Sequence, residues 1–504
     1  MSTYLGIELG STRIKAVTIN ENFRPLSAGE YAWKSELRDG IWTYDLEEVW
    51  IGLNSILKAM DGLDAVNCMG ISGMMHGYLA FDRDWNLLTP FRTWQNTITA
   101  QAAAQLTSAF SFNIPQRWSI AHLYQAVLNG EAHVPRVAHI TTLAGYIHYM
   151  LTGVNAVGVG EASGIFPIDS KTCNYDARML RIFQQLTADQ TWDIQELLPE
   201  VLVAGHPAGN LTESGAKLIG GMLCPGILFA PAEGDAGTGM VATNALMEGV
   251  GNVSAGTSIF SMVVLERPLT QVYPEIDLVT TPSGRPVAMV HCNNCTSDMN
   301  SWIDILSEAL ELFGVFVPPE RLFVALYRKS LEGDADCSGI TVYNYLAGEG
   351  VTHMDRGRPL VVRQPESKFT LANFLRAQLY SAFATLALGM KILEREHIRI
   401  EHLMGHGGLF KTPGVGQRYL AAALHAPVIC METAGEGGPY GMALLAAYTD
   451  RPRGTLEQFV NEEVFSCCNI NTIYPDSADE EGFCRYLDRF VSWLPIERSA
   501  IELL

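Results

Sequence analysis

The sequence predicts an α/β protein built from two large domains. The chain has 504 residues, more than one hydrophobic core usually supports, and hydrophobic residues make up 48% of it. Strand-like and helix-like segments alternate along it, and a short glycine-containing motif occurs twice, about half a chain length apart. These observations indicate a folded protein with two domains of similar design.

The alternation begins with two strands and a helix. Residues 4–10 ("YLGIELG") and 13–20 ("RIKAVTIN") predict strands on either side of a tight turn. Residues 44–60 then place apolar side chains at helical spacing, behind Asp45 as the capping residue and with Glu48 three positions later. The further predicted elements are strands at 66–72 and 78–82 and helices at 371–393 and 441–448.

Charge and hydropathy limit the partners and the location. A formal net charge of −20 argues against a nucleic-acid partner, because such a chain has no basic stripe to displace counterions. The first residues carry no basic segment followed by an apolar stretch, and 18 apolar residues never run together. We therefore expect a cytoplasmic protein with small-molecule partners and no membrane contact, and we expect a homodimer.

The repeated motif is a turn of small residues between two strands. The turn lies in "GIELGSTRIKAV" (6–17) and again in "GNVSAGTSIFSMVV" (251–264). Glycine lets the backbone approach a ligand closely, and hydroxyl and backbone N–H groups bind phosphate oxygens. One such turn is an ordinary hairpin. Two of them predict domains at 1–249 and 250–504 whose turns face one cleft and hold a polyphosphate from both sides. The two turns are Gly10, Ser11 and Thr12, and Gly256, Thr257 and Ser258.

Asp235 is the candidate catalytic residue. It lies in "PAEGDAGTGM" (231–240), directly ahead of the second hairpin. An aspartate among glycines is commonly a helix cap or a turn former. At the mouth of a cleft, however, its carboxylate can accept a hydroxyl proton, which is the role of the base in phosphoryl transfer.

Four further motifs, taken with the two hairpins, resemble the FGGY carbohydrate kinases. The motifs are "GDAG" (234–237), "YNYLAGEGVTH" (343–353), "GHGGLFKTP" (405–413) and "EGGPYGMALLAAY" (436–448). They occur in the family's order over essentially the whole chain. The resemblance implies an actin/hexokinase-like ATPase fold, with duplicated ribonuclease H-like domains around a central cleft. It also implies a sugar-binding domain at 1–249 and a nucleotide-binding domain at 250–504.

The resemblance also implies residue roles toward ATP and Mg²⁺. Glu8 stands where most relatives carry aspartate, and together with Asp235 it is the implied Mg²⁺ site. The implied phosphate-binding residues are Gly10, Ser11, Thr12, Lys15, Gly256, Thr257 and Ser258, and the implied adenosine-binding residues are Gly407, Gly408 and Lys411.

Within the family, the loop of "GMMHGYLAFD" (73–82) is similar to that of xylulokinases. Met75 and His76 are thereby implied in sugar binding, because His76 can bond to a hydroxyl and Met75 offers an adaptable apolar wall. Trp94 and Asn96 fall in the segment that lines the family's sugar pocket, with Asn96 in place of an aspartate. The implied reaction is ATP-dependent phosphorylation of a ketopentose, D-xylulose to D-xylulose 5-phosphate. L-Ribulose, another ketose or a polyol stays open.

Two other classes of function use related folds. Actin-like filaments and heat-shock chaperones use nucleotide to drive assembly or conformational change, and a sugar sensor binds without turnover. The histidine-containing loop at 73–77 and the glycine-flanked Asp235 favour a kinase over both.

The stretch "HCNNC" (291–295) raises the question of a metal site. Its His291, Cys292 and Cys295 have zinc-ligand chemistry, but the sequence offers no fourth ligand at compatible spacing. We predict instead the end of a strand that carries small thiols in the core of the second domain.

Overall fold

The computed structural model describes residues 2–431 and 437–503, so the first residue of the 436–448 motif lies outside the described residues. Two compact units divide the chain. Of the described residues, the first unit holds 2–247, 271–287 and 437–467, and the second holds 248–270, 288–431 and 468–503. The units therefore differ from the predicted division at 249 and 250, because two later segments pack with the first unit.

The first 247 residues carry short strands interleaved with helices. The strands are β1 (Thr3–Leu9), β2 (Arg13–Asn20), β3 (Pro25–Ala32), β4 (Glu36–Arg38), β5 (Ile41–Thr43), β6 (Val66–Gly73), β7 (Leu79–Phe81), β8 (His139–Thr141), β9 (Ala156–Gly158), β10 (Ile168–Asp169), β11 (Asn174–Tyr175), β12 (Glu200–Leu202), β13 (Leu228–Phe229) and β14 (Glu233–Gly234). The helices are α1 (Leu46–Ala59), α2 (Ala100–Phe110), α3 (Ser119–Leu128), α4 (Leu143–Thr152), α5 (Val159–Ala162), α6 (Ala177–Leu186), α7 (Ile194–Leu197), α8 (Glu213–Leu218) and α9 (Asp235–Ala242).

The remaining elements follow from residue 248 onward. The strands are β15 (Val250–Ala255), β16 (Ile259–Val264), β17 (Asp277–Thr280), β18 (Pro286–Cys292), β19 (Thr341–Tyr343), β20 (Leu360–Val362), β21 (His402–His406), β22 (Val428–Met431) and β23 (Ile470–Ile473). The helices are α10 (Ser297–Glu311), α11 (Pro319–Ser330), α12 (Leu371–Arg395), α13 (Val415–Leu424), α14 (Gly437–Asp450), α15 (Leu456–Gln458) and α16 (Ser477–Glu502).

The main sheet of the first unit brings three strand ends together. Its strands lie in the order β13-β6-β1-β2-β3, with β14 also paired to β6. β1 and β2 form the predicted antiparallel hairpin, in which Glu8 lies opposite Lys15. β6 runs parallel to β1, and β14 runs parallel to β6. The carboxyl ends of β1, β6 and β14 therefore lie side by side, and α9 starts directly after β14.

The first predicted helix is confirmed as α1. Asp45 is its N-cap, and the Asp45 side chain accepts a hydrogen bond from the backbone N–H of Glu47 at 3.0 Å. The buried face of α1 carries Val49 and Leu53 into the core of the first unit, which β1, β2 and β6 also line.

Helix α14 packs on the same sheet so closely that its backbone lies directly against the backbone of β1. A Cβ atom built on Gly6 in β1 would lie 2.5 Å from the backbone nitrogen of Ala443 in α14. One built on Gly70 in β6 would overlap the side chain of Met442. Glycine is therefore required at position 6 for α14 to lie this close to the sheet, whereas a side chain at position 70 would force Met442 to move.

In the second unit the sheet order is β18-β16-β15-β21-β22-β23. β15 and β16 form the second predicted hairpin, and β21 runs parallel to β15, so that Ser254 lies opposite His406. As predicted, the strand β18 ends within "HCNNC", and Cys292 and Cys295 are both buried.

The two longest helices, α12 and α16, also belong to the second unit. α12 covers the predicted helix at 371–393 and is buried over most of its length. The buried Arg376 guanidinium of α12 donates to the Asp479 carboxylate of α16 at 2.5 Å, and this charge-assisted contact joins the two helices. In the described part of the chain, no helix combines the length and the apolar character needed to cross a membrane.

We expect Gly6→Ala to lower the free energy of unfolding by about 1–3 kcal/mol, because the added methyl group must displace the α14 backbone. Urea unfolding of the full chain measures this change. Gly239→Ala is the matched control, since no atom lies within 4 Å of a Cβ at that helical position. A Gly6→Ala protein as stable as the wild type would contradict the close packing of α14 on β1.

Candidate active site

Asp235 lies where β14 ends and α9 begins. The hydroxyl groups of Ser72 in β6 and Thr238 in α9 are 3.1 Å apart and hydrogen-bonded, and both residues are fully buried, which ties the start of α9 to the sheet. The Asp235 Oδ1 atom accepts hydrogen bonds from the backbone N–H of Ala236 at 2.9 Å and of Met75 at 3.3 Å. The carboxylate is thereby oriented next to the loop that carries Met75 and His76.

The loop at 74–77 is held from both sides. The backbone N–H of Met74 donates to the Leu9 carbonyl at 2.9 Å, and that of Gly77 donates to the Arg117 carbonyl at 3.2 Å. His76 has a left-handed backbone conformation, with φ at 69°. A non-glycine residue held in this region is strained, and such strain concentrates at functional sites.

The His76 ring is oriented by two neighbours. Its Nδ1 atom lies 3.2 Å from the Gly164 carbonyl oxygen, and the ring stacks on Trp118 at 6.0 Å between centroids. Since a carbonyl can only accept, Nδ1 carries the proton in this contact.

The segment with Trp94 and Asn96 is joined to this loop by backbone pairing of Arg92 with Tyr78. Trp94 is half-buried against the core of the first unit. Asn96 is buried, its Oδ1 accepts from the Trp42 N–H at 2.8 Å, and its Nδ2 donates to the Trp42 carbonyl at 2.8 Å. The Asn96 amide thus secures the segment through backbone contacts.

Three carboxyl groups lie near Asp235, of which Glu161 and Glu233 are buried and Glu8 is partly exposed. Burial raises the pKa of Asp235 to about 6, against its backbone hydrogen bonds. Burial, reinforced by the charge of Asp235, raises the pKa of Glu8 to about 7, although Lys15 opposes this shift. Burial also raises the pKa of Glu233 to about 8, while the N–H groups of Gly160 and Glu161 stabilise its charged form.

The turn of the first hairpin is anchored through its carbonyl groups. The Gly10 carbonyl accepts from the Trp33 indole at 2.7 Å, and the Ser11 carbonyl accepts from the Tyr44 hydroxyl at 2.7 Å. Within the described residues, neither the Ser11 nor the Thr12 hydroxyl has a hydrogen-bond partner. This arrangement leaves the hydroxyl groups available for an anionic ligand.

The turn of the second hairpin is anchored in the same way. The Gly256 carbonyl accepts from the Thr296 hydroxyl at 2.8 Å, and the Thr257 carbonyl accepts from the Cys295 N–H at 3.0 Å. Gly407, directly after β21, has φ at 99°, and a Cβ there would lie 2.5 Å from the Ala255 carbonyl oxygen. The turn at 256–258 and the Gly407–Gly408 turn are therefore neighbours at one end of the sheet. Lys411 follows them, exposed, after a 3-10 helix at Gly408–Phe410.

The structure adds residues that the sequence patterns did not single out for function. Glu349 in the 343–353 motif accepts from the Asn293 N–H at 3.0 Å and from the Asn294 amide at 3.2 Å, and so it holds "HCNNC" behind the second hairpin. In the first unit, Glu161 and Glu233 are buried in the protein interior close to Asp235. Glu233 was visible as a second acid in the same glycine-rich stretch, whereas no local pattern marked Glu161.

A metal site built from protein ligands alone is absent from the described part of the chain, where no three His, Cys, Asp or Glu side chains form a suitable group. The nearest arrangement is the Glu8 and Asp235 pair, which interact electrostatically. Two carboxylates suit Mg²⁺, which is commonly held by one or two carboxylates together with substrate phosphates.

Each of the two α/β units carries a Gly-Ser/Thr hairpin at a sheet end, and the first unit also carries a partly exposed aspartate beside buried acids. This combination suits a two-domain phosphotransferase. The chain belongs to the FGGY family of carbohydrate kinases. The model of the family's N-terminal domain matches residues 3–242, and the model of its C-terminal domain matches residues 251–449. The chain is therefore an ATP-dependent sugar kinase, and the predicted family and enzyme class are confirmed.

Relatives and solved structures agree with this assignment. The chain is 22% identical to the xylulose kinase of Haemophilus influenzae over 97% of this chain and 99% of that protein. It is similar to a xylulose kinase structure from Lactobacillus acidophilus, with a TM-score of 0.82, 16% identity and coverage of 100% and 99% of the two chains. A gluconate kinase structure from the same organism gives a TM-score of 0.80 at 16% identity, with 99% and 98% covered. The predicted two-domain kinase fold is confirmed, and the fold accommodates more than one type of sugar.

We expect kcat/KM to fall in two acid steps, near pH 7 and near pH 6, as the pH is lowered. If Asp235 is the base, as the sequence predicts, its ionised carboxylate is the active form, and protonation of Glu8 and then of Asp235 removes charge from the site. The pH dependence of the initial rate measures this, and Glu8→Gln should retain only the step near pH 6. A single step near pH 4, typical of a solvated aspartate, would contradict the buried environment of the pair.

We expect Gly256→Val to weaken ATP binding about tenfold, the equivalent of one lost hydrogen bond, because its side chain occupies the space beside the turn. Calorimetric titration with ATP measures the affinity. No atom lies within 4 Å of a Cβ at Gly256, so the variant should fold, and Gly350→Val, equally open, is the matched control in the same unit. Unchanged ATP affinity in a folded Gly256→Val protein would exclude this turn from the nucleotide site.

Proposed function

We propose that the chain transfers the γ-phosphoryl group of ATP to a hydroxyl group of a neutral ketose, with D-xylulose as the first candidate. The observation that carries this proposal is the Asp235 carboxylate, held by the Met75 N–H directly beside the loop of His76. The curated xylulose kinase of Haemophilus influenzae, which aligns over nearly the whole length of both chains, supports the choice of sugar.

Asp235 is the general base in this proposal. The sugar hydroxyl oxygen attacks the γ-phosphorus, the bond from that phosphorus to the leaving oxygen of ADP breaks, and the hydroxyl proton passes to Asp235. A hydroxyl group is a poor nucleophile, and a positioned base typically contributes about 10²–10⁴ in rate. With a pKa of about 6, Asp235 is ionised at neutral pH and returns the proton to solvent after the transfer.

The loop at 74–77 and the segment at 92–96 would bind the sugar. His76, whose ring is oriented by the Gly164 carbonyl and by Trp118, would bond to a sugar hydroxyl, and Met75 would supply an apolar wall. Trp94 would cover an apolar face of the sugar. For Asn96 we propose a supporting role in place of direct sugar contact, because the Trp42 backbone occupies its amide.

Toward the nucleotide, we retain the residues that the family resemblance implies. In the first unit, Gly10, Ser11, Thr12 and Lys15 would bind phosphate oxygens; in the second, Gly256, Thr257 and Ser258 would bind phosphate, and Gly407, Gly408 and Lys411 would lie near adenosine. Glu8 and Asp235 would hold Mg²⁺, whose charge neutralises the polyphosphate when bound.

The test is ADP release measured with and without a sugar panel of D-xylulose, L-ribulose, glycerol and D-gluconate. Turnover that depends on D-xylulose supports the proposal. Turnover with another member of the panel overturns only the choice of sugar. Hydrolysis of ATP without sugar would indicate a motor-like ATPase, and sugar binding without turnover would indicate a sensor.

We expect Asp235→Asn to lower kcat at least about a hundredfold, because asparagine has nearly the same shape and cannot accept the proton. Steady-state rates measure the loss, and calorimetry should show sugar binding of near-normal strength. Asp84→Asn, on an exposed turn of the same unit, is the control for removing one negative charge. A variant that retains more than about a tenth of the rate would assign the base to another carboxylate, of which Glu8 is the first to test.

A further inference from the structure

Glu161 in α5 is a fully buried acid of the first unit, and the Thr142 hydroxyl lies near its carboxyl group. Its side chain is fully buried, and within the described part of the chain neither carboxyl oxygen meets the geometry of a hydrogen bond. Nearly all buried polar groups in proteins are paired, because an unpaired one loses its hydration without compensation. A carboxyl group retained here at a cost in stability requires an explanation.

The position of Glu161 points to the sugar site. A Cβ built on Gly234, the residue before Asp235, would lie 2.7 Å from the Glu161 Oε2 atom and 3.0 Å from the Met75 sulfur. The carboxyl group and the Met75 side chain therefore share one side of Gly234. Three residues later, Gly164 bonds to the His76 ring, and a Cβ there would lie 2.9 Å from the Met75 methyl group. Residues 161–164 thus lie against both predicted sugar-binding residues.

The backbone of this segment is tightly fixed. The Glu161 N–H donates to a Glu233 carboxyl oxygen at 2.9 Å. The Ser163 hydroxyl donates to the Gly160 carbonyl at 2.6 Å and accepts from the Thr280 N–H at 3.1 Å. These hydrogen bonds fix the backbone of α5, so a shift of this helix cannot move the Glu161 carboxyl group to another environment. The fold therefore holds the carboxyl group at this position.

The groups facing Glu161 determine its charge. Burial, with the neighbouring charges of Glu233 and Asp235, raises the pKa of Glu161 well above its usual value, and the nearby Thr142 hydroxyl opposes this only in part. Tyr175, whose buried hydroxyl is also unpaired, faces it from β11. A carboxyl group accepts hydrogen bonds from hydroxyl groups, and in its protonated form it also donates one.

We propose that Glu161 is a further substrate-binding residue, whose carboxyl group pairs with a hydroxyl of the neutral sugar when the sugar displaces the Met75 side chain. Methionine is unbranched and repacks readily, so Met75 can move without a backbone change. This proposal rests on the proposed function and deepens it. It predicts that the phosphate acceptor is an uncharged polyhydroxy compound. The carboxylate of a sugar acid would lie among the carboxyl groups of Glu8, Glu233 and Asp235, and like charges repel each other.

The test compares Glu161→Met and Glu161→Gln in the full chain, using whichever sugar of the panel the wild type phosphorylates. Glu161→Met replaces an unpaired polar group by an apolar one, so its melting temperature should rise while its KM for the sugar rises about tenfold and its KM for ATP stays unchanged. Glu161→Gln has the same shape and keeps an acceptor oxygen beside a donor group, so its KM for the sugar should stay within about threefold of the wild type.

Ser163→Ala is the matched control on the same segment. It should lower the melting temperature and leave the KM for the sugar unchanged, because it loosens α5 without touching the carboxyl group. A wild-type KM for the sugar in Glu161→Met would overturn the proposal, and so would a lower melting temperature, which would assign the carboxyl group a structural partner. Because the sugar is chosen by turnover, a failure of D-xylulose as substrate leaves this test intact.

Discussion

The parallel pairing of β1, β6 and β14 is the constraint on which the site depends. The three strands end at one edge of the sheet, which brings Glu8 near Asp235 and places the 74–77 loop against both. Although Glu8 and Asp235 remain partly exposed, the surrounding protein removes much of their hydration, and this raises their carboxyl pKa values to about 7 and about 6. The geometry and the acid–base properties of the site therefore have one origin.

A close backbone approach supports this arrangement in each unit. In the first unit, glycines at positions 6 and 70 let α14 lie on the sheet. A Cβ atom on Gly441 of α14 would overlap the Thr238 carbonyl of α9, so α14 also packs directly against α9, the helix that starts at Asp235. In the second unit, Gly407 lies against the Ala255 backbone, and this contact places the Gly407–Gly408 turn next to the hairpin of β15 and β16. Side chains at these positions would separate the elements that carry the proposed ligand contacts.

Several parts of the site could be predicted because local patterns mark them. The two hairpins, the strand at β6, the capped helix α1 and the long helix α12 follow from periodicity and turn residues, and the structure confirms each. Asp235 was identifiable because glycines surround it, and its placement beside Met75 agrees with the predicted sugar site. For Asn96, position in the chain suggested sugar contact, but only the folded protein shows its amide bonded to the Trp42 backbone.

The sequence by itself determined the α/β class, the repeated hairpin and the family, because these depend on residue order and local spacing. The assignment of 271–287 and 437–467 to the first unit was decided by tertiary packing. So was the approach of Glu161 to Glu233 and Asp235, since α5 is distant from both in the chain and no local pattern pairs them. The charge states of these carboxyl groups depend on burial and on neighbours distant in the chain, and only the folded structure specifies those.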